Sequence, residues 1–441
     1  MSGHNYLHRQ LHHYLGLYIQ PGDRVAEIDP RSSHGPFVFK GCESLIVQSS
    51  NIAEHHHRFD GKPLAHFRAD YVILNGNIHY EIDVQSFLNE LHSELVPPTR
   101  VIIVYYSTFW KPWLRLATAL GMRRKMPEEN WIAPEDLQNL LLLANYDLVR
   151  AESKLLLPFH VPVISYLVNR FLAPLAGFRI FNLVNIAVAR PLSSPEAKKG
   201  PAPSVSIVIP ARNEAGNIEA AVVRTPKMGP DDELIFVEGN STDNTWETVC
   251  TIQERYAATH HIRIAQQDGV GKGDAVRKGF GLAQKDIVMI LDADLSVPPE
   301  ELPRFYEALV SNKGEFINGS RLVYPMQKQA MRFFNVLANK VFAVMFSFVL
   351  SQRFKDTLCG TKALSRANYL KLAAHRSHFG EFDPFGDFDL IFGAARLALR
   401  MVEVPIHYGE RTYGRTNIQR WRHGLLLLRM LRFAAVRIKF L

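Results

Sequence analysis

The sequence predicts an α/β protein made of two tandem units, and three observations carry that expectation. Short apolar runs alternate with amphipathic helical stretches through most of the chain, the pattern of strands and helices layered around a parallel sheet. The alternation is interrupted once, at residues 190–204, where RPLSSPEAKKGPAPS holds four prolines and no apolar periodicity. The length of 441 residues also exceeds what one hydrophobic core usually organises.

In chain order, residues 24–28, 44–47, 71–74 and 101–105 read as buried strands, and 83–95 and 134–145 as helices with apolar residues at i, i+3, i+4 and i+7. After the proline-rich join, strands are expected at 204–209, 233–237, 262–266 and 286–291, with helices between them. The expected division is a domain over 1–190, a linker over 191–203, a second domain over 204–418 and a basic amphipathic helix over 419–441.

Composition narrows the class. With 47% hydrophobic and 21% charged residues the chain is neither disordered nor collagen-like. A mean hydropathy of −0.07 speaks against a polytopic membrane protein, since a spanning helix needs about 20 mainly apolar residues. The longest uncharged stretch, 155–169, is interrupted by Pro158, His160 and Pro162. A net charge of +8 suits nucleic acid, an anionic membrane surface or a phosphorylated substrate. The three scattered cysteines fit a reducing compartment, and the histidine-bearing N-terminus lacks a secretory apolar core. A cytoplasmic chain is expected.

The most informative run is DIVMILDADLSVPPEEL, residues 286–302. An apolar strand delivers Asp292 and Asp294 at its carboxyl end, where open α/β sheets bind their ligands. Two carboxylates one residue apart can share a hard cation such as Mg²⁺ or Mn²⁺, which commonly keeps contact with substrate phosphates. By themselves they serve equally well as caps of the turn at Pro298 and Pro299.

Three further strand ends point the same way. The first strand of the second unit runs into PARNE, placing Asn213 and Glu214 before a helix. The next runs into EGNSTDNT, where Glu238 can accept from a base or ribose and 241–243 start a helix. The third leads to DGVGKGDAVRKG, with Lys272 among glycines at a helix N-terminus, a favourable place for an anion. No Ser or Thr follows that lysine, so the loop is not a Walker A motif.

PARNE, VEGNSTDNT, GKGDAVRKG and LDADLSVPPEEL, in this order, resemble a family 2 glycosyltransferase of the GT-A fold, and the part from residue 204 onward is similar to the dolichyl- or polyprenyl-phosphate sugar transferase branch. The resemblance implies inverting transfer of a sugar from a UDP- or GDP-sugar with Mg²⁺ or Mn²⁺. It places Pro210, Arg212, Glu214, Glu238, Lys272 and Asp292 at the nucleotide sugar, and Asp292 and Asp294 at the metal. Ser296 stands where the branch often has a metal-binding glutamine. Arg321 in NGSR, Lys362 in DTLCGTK, and Arg411 and Arg415 in ERTYGRTN correspond to residues gripping the acceptor phosphate, with an arginine usual at the place of Lys362.

A phosphate acceptor is already largely a dianion at neutral pH, so it needs no strong base. A hydroxyl acceptor needs a carboxylate, and Asp387 in GDFDL stands where many family 2 enzymes carry theirs. A bifunctional methyltransferase/glycosyltransferase and an inactive sugar-nucleotide platform are the remaining alternatives.

Two segments bear on a lipid acceptor. Residues 329–350 crowd phenylalanines around Arg332 and Lys340, and 420–441 hold five arginines and one lysine without an acid, interleaved with Trp421, Phe433 and Phe440. A basic helix carrying aromatics reads as membrane-surface binding, so the expectation is a peripheral protein on the cytoplasmic leaflet, with nucleic acid excluded as partner.

The first unit resembles a class I methyltransferase: residues 69–107 look like that fold's fourth strand, helix and fifth strand, which makes both units Rossmann-like. Yet VAEI runs into DPRSSHG where S-adenosylmethionine binding wants a glycine-rich turn, and Gln48 stands where an acid holds the ribose. An inactive domain without that cofactor is expected, serving as a scaffold or a protein-partner surface. His4, His8, His12 and His13, and His55 to His57, are read as a solvated face rather than a metal site.

Overall fold

The computed structural model describes residues 3–30, 35–48, 63–121, 130–192, 201–324, 333–376, 386–409, 413 and 420–440. The chain forms two compact units, Met1–Ala197 together with Val436–Leu441, and Lys198–Ala435.

The first unit carries α1 (Gly3–Leu15), β1 (Arg24–Ile28), β2 (Glu43–Val47), α2 (Pro63–Phe67), β3 (Tyr71–Asn75), α3 (Val84–Glu94), β4 (Arg100–Tyr106), α4 (Lys111–Ala119), α5 (Pro134–Leu143), β5 (Tyr146–Lys154), α6 (Ile164–Leu167) and β6 (Val184–Pro191). Its sheet order is β2-β1-β3-β4-β6-β5. The four expected strands are parallel neighbours, and the sheet departs from the expectation by adding β5 and β6, with β6 antiparallel to both β4 and β5. Val72, Ile73, Ile102 and Ile103 are fully buried, as continuous apolar strands of a covered sheet should be. Asp83 caps α3 by accepting from the Ser86 amide at 3.0 Å.

For His8 and His12 the reading as a solvated face needs correction, while His13 is exposed as expected. His8 stacks on Phe37 and His12 on Phe39, each with ring centroids 4.6 Å apart, and His12 Nε2 lies 2.8 Å from the Val38 carbonyl. They pack α1 onto the chain after β1 instead of forming a solvated face. His55 to His57 lie outside the described residues.

The C-terminal residues close this unit. On one face of β5, Arg150, Glu152 and Lys154 are buried, and Lys439 pairs with Glu152 at 2.9 Å. Burial lowers the Lys154 ammonium to about 8, although Glu152 opposes the shift.

The second unit carries β7 (Val205–Ala211), α7 (Ile218–Arg224), β8 (Glu233–Glu238), α8 (Thr245–Tyr256), β9 (His261–Gln266), α9 (Lys272–Leu282), β10 (Ile287–Ile290), α10 (Leu302–Val310), β11 (Phe316–Ser320), α11 (Phe333–Leu350), β12 (Lys362–Ser365), α12 (Arg366–Ala374), α13 (Asp387–Arg396), β13 (Met401–Pro405) and α14 (Arg420–Ala434). The sheet order is β13-β11-β12-β10-β7-β8-β9, parallel except for β12. Because β12 runs backwards between β10 and β11, its first residue, Lys362, lies at the edge where the parallel strands end.

The helices read as membrane-facing have packed sides. On α11, Phe346 is fully buried, its ring 5.1 Å from that of Phe388 on α13, whereas Val341 and Val344 are exposed. On α14, Leu427 and Met430 are buried and Leu425 and Leu428 exposed. Among the described residues no helix is long and apolar enough to cross a membrane.

Candidate functional site

The carboxyl edge of the second sheet gathers Glu214 after β7, Glu238 at the end of β8, Asp292 and Asp294 after β10, Arg321 after β11, and Lys362. Its centre is Asp292. The Lys272 ammonium, on the first residue of α9, lies 2.5 Å from Asp292 Oδ1. Burial pushes the Asp292 carboxyl up, but Lys272, then Lys362 and Arg321, more than offset this and hold it below the usual carboxylate range. The chain between α11 and β12 presses directly on this pair. A Cβ added to Gly360 would stand 2.1 Å from Asp292 Oδ2 and 2.2 Å from Lys272 Nζ, so any other residue there would displace the ends of these two side chains.

Asp294 is oriented by the residue that replaces the expected glutamine. Its Oδ1 accepts from the Ser296 amide at 3.0 Å and from the Ser296 hydroxyl at 2.7 Å. Ser296 therefore fixes the carboxylate. Among the described residues no group of three or more His, Cys, Asp or Glu side chains is placed to hold a metal. Two carboxylates at a strand end nevertheless fit a Mg²⁺-type ion that takes its other ligands from water and phosphate.

The two acids expected at the nucleotide also shape loops. Glu238 accepts from the Ser241 amide and, at 3.4 Å, from Gln266 Nε2. Glu214 accepts from Asn217 Nδ2 at 2.8 Å, while its own amide donates to Thr245 Oγ1 at 3.0 Å. Asn213, at a φ of +57° that asparagine tolerates, accepts from the Thr242 amide at 2.7 Å and ties the loop after β7 to the loop after β8. Arg212 is exposed and Pro210 half-buried beside them. The helix expected to start at 241–243 begins at Thr245, whose amide donates to Asp243 Oδ1 at 3.1 Å.

Arg321 stands at the expected edge, but much of its guanidinium fork is already engaged. Nε and Nη2 donate to Asp356 at 2.7 and 2.8 Å, and Asp356 also accepts from Asn339 Nδ2 at 2.8 Å. Burial opposes ionisation of Asp356, yet Arg321 overcomes it and brings the carboxyl to about 2. The guanidinium carbon lies 5.2 Å from the centre of the Tyr408 ring. Lys362 is fully buried and donates to the Cys359 carbonyl.

Sequence reasoning missed Asp356, although it belongs to the same DTLCGTK run as Lys362. It also missed Asp389 on α13, which lies 3.7 Å from Arg277 and 3.3 Å from Arg376. Asp387 is the first residue of α13, two positions earlier; its side chain lies outside the described set, as do Arg411 and Arg415.

A sheet whose carboxyl edge joins paired aspartates to lysines and an arginine has the chemistry to take a phosphorylated ligand and a hard cation. Residues 206–366, within the second unit, match the model of glycosyl transferase family 2. The chain is 26% identical over 228 residues to undecaprenyl-phosphate 4-deoxy-4-formamido-L-arabinose transferase of Edwardsiella ictaluri, covering 51% of this chain and 64% of that protein. It is 28% identical over 222 residues to dolichol-phosphate mannosyltransferase of Pyrococcus furiosus, covering 49% and 59%. The matched region thus spans less than two thirds of either relative. Among solved structures, glucosyl-3-phosphoglycerate synthase of Mycobacterium tuberculosis, in complex with Mn²⁺, UDP and glucosyl-3-phosphoglycerate, aligns at 20% identity over 56% of this chain and 85% of that one, with a TM-score of 0.40.

Proposed function

We propose that the protein transfers a sugar, with inversion, from a UDP- or GDP-sugar to a polyprenyl phosphate at the cytoplasmic face of a membrane. The observation that carries this reading is the Asp292–Ala293–Asp294 turn at the end of β10, ringed by Lys272, Lys362 and Arg321. Both curated relatives are named for transfer involving a lipid phosphate, which supports the acceptor class.

In the proposed reaction an acceptor phosphate oxygen attacks the anomeric carbon opposite the departing diphosphate. The new carbon–oxygen bond forms as the old one breaks, and the nucleoside diphosphate leaves with the electron pair. Asp292 and Asp294 would hold Mg²⁺ or Mn²⁺, which supplies charge neutralisation at the diphosphate. Lys272 neutralises Asp292 in the structure and stands at the start of α9, where its ammonium has both the carboxylate and an incoming phosphate within its range. Ser296 keeps Asp294 oriented. Arg321 and Lys362 supply positive potential for the acceptor phosphate, with Asp356 holding Arg321 in place. Glu214, Glu238, Arg212 and Pro210 border the base and ribose side.

The first unit, in this proposal, is a methyltransferase-like domain without S-adenosylmethionine. Support comes from residues 69–107, which form β3, α3 and β4, and from the chain after β1, where the Phe37 amide donates to the buried Glu27 at 2.7 Å and closes that region. Calorimetry showing S-adenosylmethionine binding would remove this part. The transfer itself is tested by incubating the full chain with a short-chain polyprenyl phosphate, a panel of nucleotide sugars and Mn²⁺; a glycosylated lipid phosphate is expected.

A further inference from the structure

The first unit carries a segment whose polarity is inside out. Between Phe159 and Phe181, twelve large apolar side chains are exposed, with Val163 at 70%, Ile180 at 64% and Phe159 at 61%. The serine and asparagines of the same segment point inward, while His160 and Arg179 stay exposed: Ser165 is 2% exposed, Asn169 4%, and Asn182, which follows it, 0%. Each holds backbone from within. Ser165 Oγ accepts from the Val161 amide at 2.7 Å and donates to the Phe159 carbonyl at 2.5 Å. Asn169 bonds both the amide and the carbonyl of Leu157 at 2.8 Å, and Asn182 donates to the Ala173 carbonyl at 2.9 Å.

The outward apolar face is therefore held in place by buried hydrogen bonds. In water such a surface is unfavourable, and contiguous exposed apolar surface of this kind marks an interaction site. Val163, β-branched and at a φ of +62°, sits at its tip in a conformation rare for that residue. A second exposed stretch joins it. The Phe109 ring meets that of Phe181 at 5.1 Å and Trp110 Nε1 donates to the Phe181 carbonyl at 2.8 Å, bringing α4 with its exposed Trp113 and Leu116 alongside.

Charge selects the partner. No aspartate or glutamate occurs from residue 153 to 195 or from 107 to 121, while Lys111, Arg115, Arg170 and Arg179 lie within those stretches. The Arg170 guanidinium rests over the Tyr166 and Phe171 rings, at 5.4 and 5.8 Å from their centres, as cations do that cover apolar surface and keep their charge at the interface. Phe440, in the C-terminal stretch of this unit, has its ring 6.1 Å from that of Phe171. Apolar and aromatic side chains interspersed with cations and free of carboxylates match an anionic bilayer surface, where the apolar groups enter the acyl boundary and the cations meet lipid phosphates.

From this inverted polarity and one-signed charge we infer that residues 159–181, flanked by α4, form a membrane-inserting face of the first unit that binds anionic lipid bilayers. This deepens the lipid-acceptor proposal, which gives it its purpose, but its test uses neither donor nor acceptor.

The test is co-sedimentation of the full chain with phosphatidylcholine vesicles, with and without about a third phosphatidylglycerol. The wild type is expected to bind the anionic vesicles. The double variant Val163→Asp with Ile164→Asp, at two exposed positions, is expected to lose affinity about tenfold or more. As a second measurement, brominated lipids should quench wild-type tryptophan fluorescence, and Trp113→Phe should remove part of that quenching. Undiminished binding by the double variant, or no difference between wild type and Trp113→Phe in quenching, overturns the inference. So does a wild type that ignores vesicles and self-associates through the same residues, since the occupant is then a second copy. Asp294→Ala is expected to bind vesicles like the wild type while losing transfer, so failure of one proposal is visible apart from failure of the other.

Discussion

Replacing Asp356 by asparagine removes the carboxylate that neutralises Arg321 inside the second unit. Asp356 is fully buried and accepts from Arg321 Nε, Nη2 and amide, from Asn339 and from the Leu358 amide. Its carboxyl is brought from 3.8 to about 2, which corresponds to about 2 kcal/mol of preference for the charged form in the folded state. Leaving Arg321 buried without its partner costs more, about 3–5 kcal/mol. The midpoint of thermal unfolding of the second unit should fall by about 6–12 °C for a 3 kcal/mol loss. A depressed carboxyl stabilises fully above its unfolded value and loses that contribution as pH falls toward the folded value. In the wild type, stability from this residue should therefore decline below about pH 5, with about half of the 2 kcal/mol gone at pH 3. Asp356→Asn should lack this decline. The assay is denaturant unfolding of the full chain at pH 7 and pH 3, with Arg321→Met combined with Asp356→Leu as the paired control, expected to cost less than the sum of its single changes. A loss below about 1 kcal/mol at pH 7 in Asp356→Asn would refute the reasoning.

Three more outcomes are expected. Gly360→Ala forces a methyl against Asp292 and Lys272 and should lower kcat by about tenfold or more while the far-ultraviolet dichroism stays unchanged; wild-type turnover would show that the Asp292–Lys272 pair is not needed as the structure sets it. Asp387→Asn should leave turnover with a phosphate acceptor within about threefold of wild type, because a dianionic acceptor needs no general base; abolished turnover would instead favour a hydroxyl acceptor. Burial raises the Glu27 carboxyl to about 7, so ionising it disfavours the fold and first-unit stability should fall by up to about 3 kcal/mol as pH rises from about 4.5 to 7. Glu27→Gln should flatten that dependence in pH-dependent unfolding, and an unchanged slope would contradict the assignment.

Most of the strands legible in the sequence are buried along nearly their whole length, although the partly exposed edge strands β2 and β9 were legible too. VILN, VIIVYY, VSIVIPA and ELIFVE are mainly apolar runs, and all became central strands of the two mixed sheets. β5 escaped notice because Arg150, Glu152 and Lys154 are charged and yet face inward, where they compensate one another and Lys439. β6 was hidden beside the proline-rich join, and β12 opens with a buried lysine. The paired aspartates were legible because their chemistry is local to one turn. Arg321 was legible as a cation at a sheet end, but its partner was not: Asp356 lies 35 residues away, and only the backward course of β12 brings the two together. The same holds for Gly360, which reads as an ordinary loop glycine until its distance to Asp292 is known. Of the outward apolar face at 159–181, only the part up to residue 169 was visible, as the end of an uncharged stretch, since which side chains turn outward depends on the buried Ser165 and Asn169.

The central claim is that Asp292 and Asp294 serve transfer of a sugar to a lipid phosphate. It is tested most directly by comparing wild type with Asp294→Ala in the formation of glycosylated polyprenyl phosphate from nucleotide sugars in the presence of Mn²⁺. Product with at least one donor from the wild type, reduced by about a thousandfold in the variant, is expected. Equal product from both proteins would contradict the claim.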